Sequence, residues 1–378
     1  MLRIGVVHDL YANIEQGSVG GEDNIAQIEI MELEKLGHEV VPVLRIQKGM
    51  VRKYNQTRSH ILGLGESPLP KLIRDKVDVV HTHNLNQISG YNWIKNSPVP
   101  VVSSLHNFRS FCSVSIAWRD GNNCFECLQI GSMSAIRNRC GGFRGLTGSL
   151  RHTFFQRGLN QLHDPTSIIV TNNFTLNLLK SYVKHIELLP NPGLPGSERE
   201  NINRHRRWLF AGRFVEEKNL QYLIRNFPKE HQLDIAGNGP LLQEILKEIN
   251  LHPNIKYIGT FHPSDRGIYK EYSGLIFCSN WVEGSPLVIA DAISNGTPVI
   301  VSAGSSAIEQ VNRTGCGVII SRDFNVDELR SAMSLIEKEG EALRAKCQNE
   351  GAEILSTQRW ATKLETILRR ALQNTTNL

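Results

Sequence analysis

"RWLFAGRFVEEKNLQYLI", Arg207 to Ile224, reads as an apolar strand ending at Ala211 and Gly212, a charged loop, and a helix that begins near Asn219. The same succession recurs along the chain. In the first half the apolar runs "RIGVV", "HEVVPVL", "DVVHTH", "VPVVSSL" and "SIIVT" alternate with longer helical patterns. In the second half "RWLFAG", "LDIAG", "IKYIG", "GLIFCS", "TPVIVSA" and "CGVIIS" do the same. Near-continuous apolar strands separated by helices predict parallel sheets covered on both faces. Because the pattern runs twice, two doubly wound α/β domains are expected, facing each other across a cleft. Between the halves lies "LLPNPGLPGSERENINRHRR", whose proline, glycine and charge mark a linker. The boundary is set near Gly196, with residues 1–196 as the first domain and 197–359 as the second. A last helix, Trp360 to Leu372, carries Leu364, Ile367, Leu368 and Leu372 on one face and is expected to pack back onto the first domain.

The length of 378 residues suits two domains of ordinary size, and 40% hydrophobic with 21% charged residues is the composition of a soluble globular protein. The opening "MLRIGVVHDL" has too short an apolar stretch and no small-residue cleavage site, so it reads as a buried first strand and not as a signal peptide. No apolar run approaches bilayer length. Seven cysteines, an odd number, argue against a disulfide framework and for a reducing, cytoplasmic setting. The net charge of +5 is modest, so its distribution matters more than its sum. Arg45, Lys48, Arg52, Lys53 and Arg58 stand in one acid-free stretch, and Arg137, Arg139, Arg144, Arg151 and Arg157 in another. With Phe143, Phe154 and Phe155 interleaved in the second, they suit an anionic membrane surface and peripheral attachment at its cytoplasmic face. The alternative is a pair of solvated basic faces. Nucleic acid is not expected, because no nucleic-acid motif accompanies them.

In doubly wound sheets ligands bind outside the carboxyl ends of the strands, so the loops there carry the candidates. Gly20 and Gly21 directly precede the helix "EDNIAQIEIMELEKLG", where a backbone can approach a ligand and free amides can meet an anion; a pair that merely shortens a turn is the alternative. Arg213 and Lys218 share one loop and suit a diphosphate. Equally, Glu216 and Glu217 could neutralise both in a solvated loop. Gly237, Asn238 and Gly239 form a second glycine-rich turn that could receive a base or a phosphate, with Pro240 suited to the first helical position. In "WVEGSPLVIAD", Glu283 lies in a loop, Ser285 and Pro286 read as N-cap and first turn, and Asp291 falls in the second helical turn, roughly 7 to 8 Å along. Its helix is apolar almost all round, so the carboxylate needs a partner. Alternatively, Asp291 complements the helix dipole and Glu283 is simply solvated. Cys112, Cys124, Cys127 and Cys140, with one C-x-x-C pair, could hold a structural zinc or stand as four reduced thiols.

The runs "AGRFVEEKN", "GNGP" and above all "EGSPLVIADAISNGTPVIVS" resemble glycosyltransferase family 4, retaining enzymes of the GT-B fold. The resemblance extends to "GGEDNIAQIEIMELEKLGHEV", "SSLHNFRSFC" and "STQRWATKLETIL". It implies transfer of a sugar from a UDP-sugar or GDP-sugar to a hydroxyl of a glycan or lipid-linked acceptor, with retention, in building a surface polysaccharide. By motif position Glu283 meets the donor sugar, Asp291 the ribose, Arg213 and Lys218 the diphosphate, and Gly20 and Gly21 the phosphates and acceptor. His106 matches a histidine beside the transferred sugar, and Gly237, Asn238, Gly239, Gly284, Ser285, Pro286 and Leu287 complete the implied donor site. There are departures: Asp291 is roughly 1.5 Å shorter than the usual glutamate. Ser285 replaces a common aromatic residue, and Asn219 a frequent glycine. No Asp-x-Asp occurs, so no cofactor is expected for catalysis. Double displacement would need a nucleophile on the sugar's other face, and none is identified. Front-face attack, in which the leaving phosphate assists acceptor deprotonation, is what the resemblance to the family implies. A nucleotide-sugar epimerase of related fold and a non-catalytic sugar-binding protein are the competing readings.

Overall fold

The computed structural model of the chain describes residues 1–9, 21–45, 66–84, 90, 92–140, 162–196, 207–261 and 263–376. Gly20, the basic residues from Lys48 to Arg58, and Phe143, Arg144, Arg151, Phe154, Phe155 and Arg157 lie outside them. The chain divides into two compact units. One comprises Met1–Arg119, Asn123–Pro190 and Ala361–Leu378, the other Asp120–Asn122 and Asn191–Trp360.

The first unit is built on strands β1 (Arg3–Asp9), β2 (Glu39–Arg45), β3 (Val79–His83) and β4 (Val101–Leu105). After a short ribbon of β5 (Trp118–Arg119) and β6 (Asn122–Asn123) come β7 (Ser167–Val170) and β8 (Ile186–Leu188). The large sheet is parallel, in the order β2-β1-β3-β4-β7-β8. In the second unit β9 (Arg207–Ala211), β10 (Gln232–Ala236), β11 (Ile255–Tyr257), β12 (Gly274–Phe277), β13 (Val299–Ser302) and β14 (Gly317–Ile320) form a parallel sheet in the order β11-β10-β9-β12-β13-β14. The strand order reverses between β1 and β3 in the first sheet and between β9 and β12 in the second. Such switch points open a crevice at the carboxyl ends of the strands.

Alternation along β9 shows why both faces are covered. Trp208 and Phe210 point into one apolar cluster, with Leu223, Ile235 and Phe324, while Leu209 and Ala211 point into another, with Ile289, Ile293 and Val299. Each fully buried large side chain stabilises the unit by roughly 1.5–3 kcal/mol.

The division falls at Pro190 and Asn191, earlier than the expected Gly196, because the proline-rich stretch is bound to the second unit. Asn191 Nδ2 donates to Ser285 O at 2.8 Å, Gly193 N to Leu355 O at 2.9 Å, and Gly196 N to Asn295 Oδ1 at 2.7 Å. A Cβ on Gly193 would stand 2.3 Å from Ala290 O, so only glycine fits this approach. The last helix, Thr357–Thr376, buries Leu364, Ile367, Leu368 and Ala371. Ala371 takes the place expected of Leu372. His38 Nε2 lies 3.3 Å from Glu365 Oε1, and Arg370 Nη1 donates to Glu187 Oε1 at 3.2 Å, fastening the helix to the first unit. Among the described residues no helix is long and apolar enough to cross a membrane.

Candidate functional site

In the second unit, two of the sequence-predicted residues meet at the switch point. A 3₁₀ turn, Glu216–Lys218, follows β9 and ends at Asn219, whose φ of 57° and ψ of 26° are left-handed. Glycine adopts that conformation freely and asparagine tolerates it, which reconciles Asn219 with the glycine frequent there. Lys218 Nζ donates to Glu283 Oε1 at 2.5 Å, with side chains only 15% and 9% exposed. The ammonium also lies 5.0 Å from the Phe277 ring centre and 6.0 Å from that of Trp281. The lysine therefore turns away from the loop acids and toward the β12 loop. Ser279 Oγ and Asn280 N donate to Glu217 O at 3.1 and 3.0 Å, and Ser306 Oγ donates to Glu283 O. Arg213 is exposed and, among the described residues, its side chain makes no ion pair or hydrogen bond.

Asp291 lies in the second turn of the helix Leu287–Ser294 and is buried. Its partner is Arg266, which sequence reasoning missed: Arg266 Nε donates to Asp291 Oδ2 at 2.9 Å, and Leu194 N to Oδ1 at 2.8 Å. Burial pushes the carboxyl pKa up and Arg266 opposes the shift. Asn295, one turn later, donates to Leu194 O at 3.0 Å. These two residues thus read the backbone of the linker.

Ser285 is not the N-cap. Pro286 holds that position with no side-chain cap, while Ser285 Oγ accepts from Gln310 Nε2 at 3.2 Å and its carbonyl accepts from Asn191. Ile289 N bonds back to Pro286 O at 3.2 Å, so the first two helical amides, those of Leu287 and Val288, precede the first intrahelical bond beside Gly284. The glycine-rich turn is explained by packing. A Cβ on Gly237, at a φ of +143°, would stand 1.8 Å from Gly212 O, and one on Gly239 would stand 2.4 Å from Phe214 O. Phe214 N donates to Asn238 O at 2.9 Å, clasping this turn against the β9 loop. The helix that follows begins at Leu242, beyond Pro240.

In the first unit, His8 and His83 are register partners at the ends of β1 and β3. The helix Gly21–Lys35 lays buried acids over them. Asp23 Oδ1 lies 2.7 Å from His8 Nε2. Glu29 spans two rings, with Oε1 2.7 Å from His81 Nδ1 and Oε2 2.6 Å from His83 Nε2. His83 Nδ1 is in turn 2.8 Å from His106 Nε2. Burial alone would raise the Glu29 pKa, but His81 and His83 outweigh it and hold the carboxylate ionised. Burial lowers His83, with Glu29 opposing, and lowers His106 well below the ordinary histidine value. The proton positions follow from these charges. An ionised Glu29 only accepts, so neutral His83 donates from Nε2 and accepts at Nδ1. His106 therefore donates from Nε2, and its Nδ1 carries a lone pair.

Asn84 ties this chain to a further acid. His106 N donates to Asn84 Oδ1 at 3.3 Å, and Asn84 Nδ2 and Asn107 Nδ2 donate to Glu22 Oε1 at 2.8 and 2.9 Å. Burial pushes the Glu22 carboxyl up to about 7. Gly21 opens the helix that carries it. Glu22, Glu29 and His83 were not singled out from the sequence, although the alternate histidines of "HTH" mark one strand face. Cys112 is buried, and Cys124, Cys127 and Cys140 are half-buried, all as free thiols.

Comparison with known proteins fits this geometry. Residues 197–354 match the family described as glycosyl transferases group 1. The crystal structure of AviGT4, a glycosyltransferase involved in avilamycin A biosynthesis, superposes with a TM-score of 0.63 at 15% identity, covering 99% of this chain and 98% of that one. The catalytic domain of starch synthase IV from Arabidopsis thaliana, bound to ADP and acarbose, gives 0.66 at 11% identity, covering 98% and 99%. The chain has the GT-B fold. An uncharacterized glycosyltransferase of Methanocaldococcus jannaschii, MJ1607, is 23% identical over 266 residues, 65% of this GT-B chain. The matched region spans 62% of that relative's length. A third GT-B structure, Anabaena HepE in complex with UDP-glucose, superposes with a TM-score of 0.60 at 13% identity over 98% of this chain and 100% of that one.

Proposed function

We propose that this protein is a retaining glycosyltransferase that moves a sugar from a UDP-sugar or GDP-sugar to a hydroxyl of a glycan or lipid-linked acceptor, in building a surface polysaccharide. The observation that carries the reading is the Lys218–Glu283 pair at the switch point of the unit that matches the glycosyltransferase family. A departing diphosphate gains negative charge, and cations fixed beforehand at low dielectric stabilise it without reorganising. Lys218, Arg213 and the opening amides of the helix Leu287–Ser294 supply that field. Glu283 accepts hydroxyls of the donor sugar, and Lys218 offsets the repulsion between this carboxylate and the diphosphate. His106 offers its unprotonated Nδ1 to a hydroxyl of the transferred sugar. Asp291 is short and already accepts from Arg266 and Leu194, so its ribose contact runs through a bridging water. The attack is front-face, with the leaving phosphate taking the acceptor proton and no catalytic metal.

The acceptor reading rests on the two basic stretches, of which Arg45, Arg137 and Arg139 fall among the described residues. Arg137 pairs with Glu126 at 3.0 Å. One experiment tests donor and surface together: a panel of nucleotide sugars incubated with the protein, with and without anionic vesicles that carry a lipid-linked sugar. Slow hydrolysis of one donor, accelerated by acceptor on salt-sensitive vesicles, is expected. Isomerisation of the donor would make the protein an epimerase, and no turnover of any donor would leave a binding protein.

A further inference from the structure

The segment that follows β6 sends its apolar residues both inward and outward. The short helices Glu126–Gln129 and Met133–Arg137 meet at a bend through Gly131, whose φ is +95°. On the inner side Leu128 and Ala135 are buried. Ile130 and Met133 are 63% and 64% exposed and flank the bend, one as C-cap of the first helix and the other as first residue of the second. Large apolar side chains scattered singly over a surface are ordinary, whereas two that share one turn form a patch suited to an apolar partner.

The base beneath this bend is tied down. Glu126 accepts from Arg119 at 2.8 Å, Arg137 at 3.0 Å and Asn138 at 2.7 Å, which joins both helices to β5. Just ahead of it the Phe125 ring centre lies 5.5 Å from that of Phe108 and 5.4 Å from that of Phe174, on the helix Asn173–Leu179. The exposed pair therefore rides on a supported turn, so little backbone freedom is left to lose on docking. Charge at the bend is one-sided. Arg137 is 65% exposed even with its bond to Glu126. Arg139 is exposed and, among the described residues, its side chain makes no ion pair or hydrogen bond. Between Glu126 and Asp164 the sequence carries five arginines and no acid.

Two side chains offer far less than the roughly 800 Å² per partner of a stable protein interface, whereas a lipid boundary takes up apolar side chains one by one, beside cations that meet its phosphates. We propose that Ile130 and Met133 enter the boundary between headgroups and acyl chains of an anionic membrane while Arg137 and Arg139 meet its phosphates. Ile130 and Met133 thereby supply an apolar part to the peripheral attachment proposed above, on which this reading rests. Attachment then has two separable parts: burial of apolar surface, which salt leaves in place, and attraction of the arginines, which salt screens.

Sedimentation of the full chain with vesicles of equal parts phosphatidylglycerol and phosphatidylcholine, over a range of salt, reads both parts. The double variant Ile130→Gln, Met133→Gln should bind about tenfold more weakly or worse at every salt concentration, with the salt dependence unchanged. Both positions are exposed, so its melting temperature and its affinity for UDP should stay those of the unmodified chain. Arg139→Asn, in which asparagine tolerates the left-handed φ of 49°, should instead make the salt dependence shallower. Equal binding by the double variant and the unmodified chain at every salt concentration would overturn the proposal while leaving attachment through the basic stretches standing. No binding by the unmodified chain at low salt would remove the proposal and the attachment together, and titration with UDP would still read the donor site separately. Self-association of the unmodified chain without vesicles, lost in the double variant, would make the patch a contact between copies of this chain and overturn the lipid reading.

Discussion

Glu283→Gln is expected to lower kcat/KM for sugar transfer by on the order of 10³-fold, about 4 kcal/mol of transition-state stabilisation. The carboxylate is nearly buried and holds Lys218, so under the proposed function the substitution removes both a sugar contact and the anchor of a diphosphate-binding cation. Glutamine keeps an oxygen for the ammonium but leaves its charge uncompensated, so a stability loss of roughly 1–3 kcal/mol should accompany it. Melting curves at the assay pH separate that loss from the catalytic one. Near-normal turnover in a folded variant would remove Glu283 from the site.

His106→Ala should lower turnover by roughly 10²-fold, within the usual range for a positioned histidine. The more discriminating result is the pH profile. His106 must be neutral to present its Nδ1 lone pair, and activity is lost as pH falls through its pKa. Because that pKa lies well below the ordinary value, the unmodified protein should show no His106 limb between about pH 7.5 and 6. His83→Phe removes the acceptor that holds the His106 proton on Nε2 but leaves burial, the largest cause of the depression, in place, so turnover should fall with no acid limb appearing between about pH 7.5 and 6. The charged and titratable groups acting on His83 and His106 are Glu29 from the helix, His8 from β1 and His81 from β3. An acid limb in that range in the unmodified protein that His106→Ala removes would contradict the neutral His106.

The strands were legible because parallel strands buried on both faces read as unbroken apolar runs. Lys218 and Glu283 were legible because each sits in a loop at a strand's carboxyl end. What was not legible is long-range. Glu29 meets His81 and His83 across 52 and 54 residues, and Arg266 meets Asp291 across 25, so no local spacing signals either pair. Ser285 misled because Ser-Pro is good capping chemistry, yet Gln310 and Asn191 claim the residue. The linker misled in the opposite direction. Its proline and glycine suggest freedom, whereas Asp291 and Asn295 bind its backbone.

The claim that the β9 and β12 loops form a nucleoside diphosphate site is tested most directly by calorimetric titration of UDP and GDP, with uridine and guanosine as phosphate-free controls. One diphosphate should bind the unmodified protein. Arg213→Ala and Lys218→Ala should each weaken it tenfold or more, about 1.4 kcal/mol, while binding of the matching nucleoside stays unchanged. Equal diphosphate affinity in both variants, or none in the unmodified protein, would contradict the account.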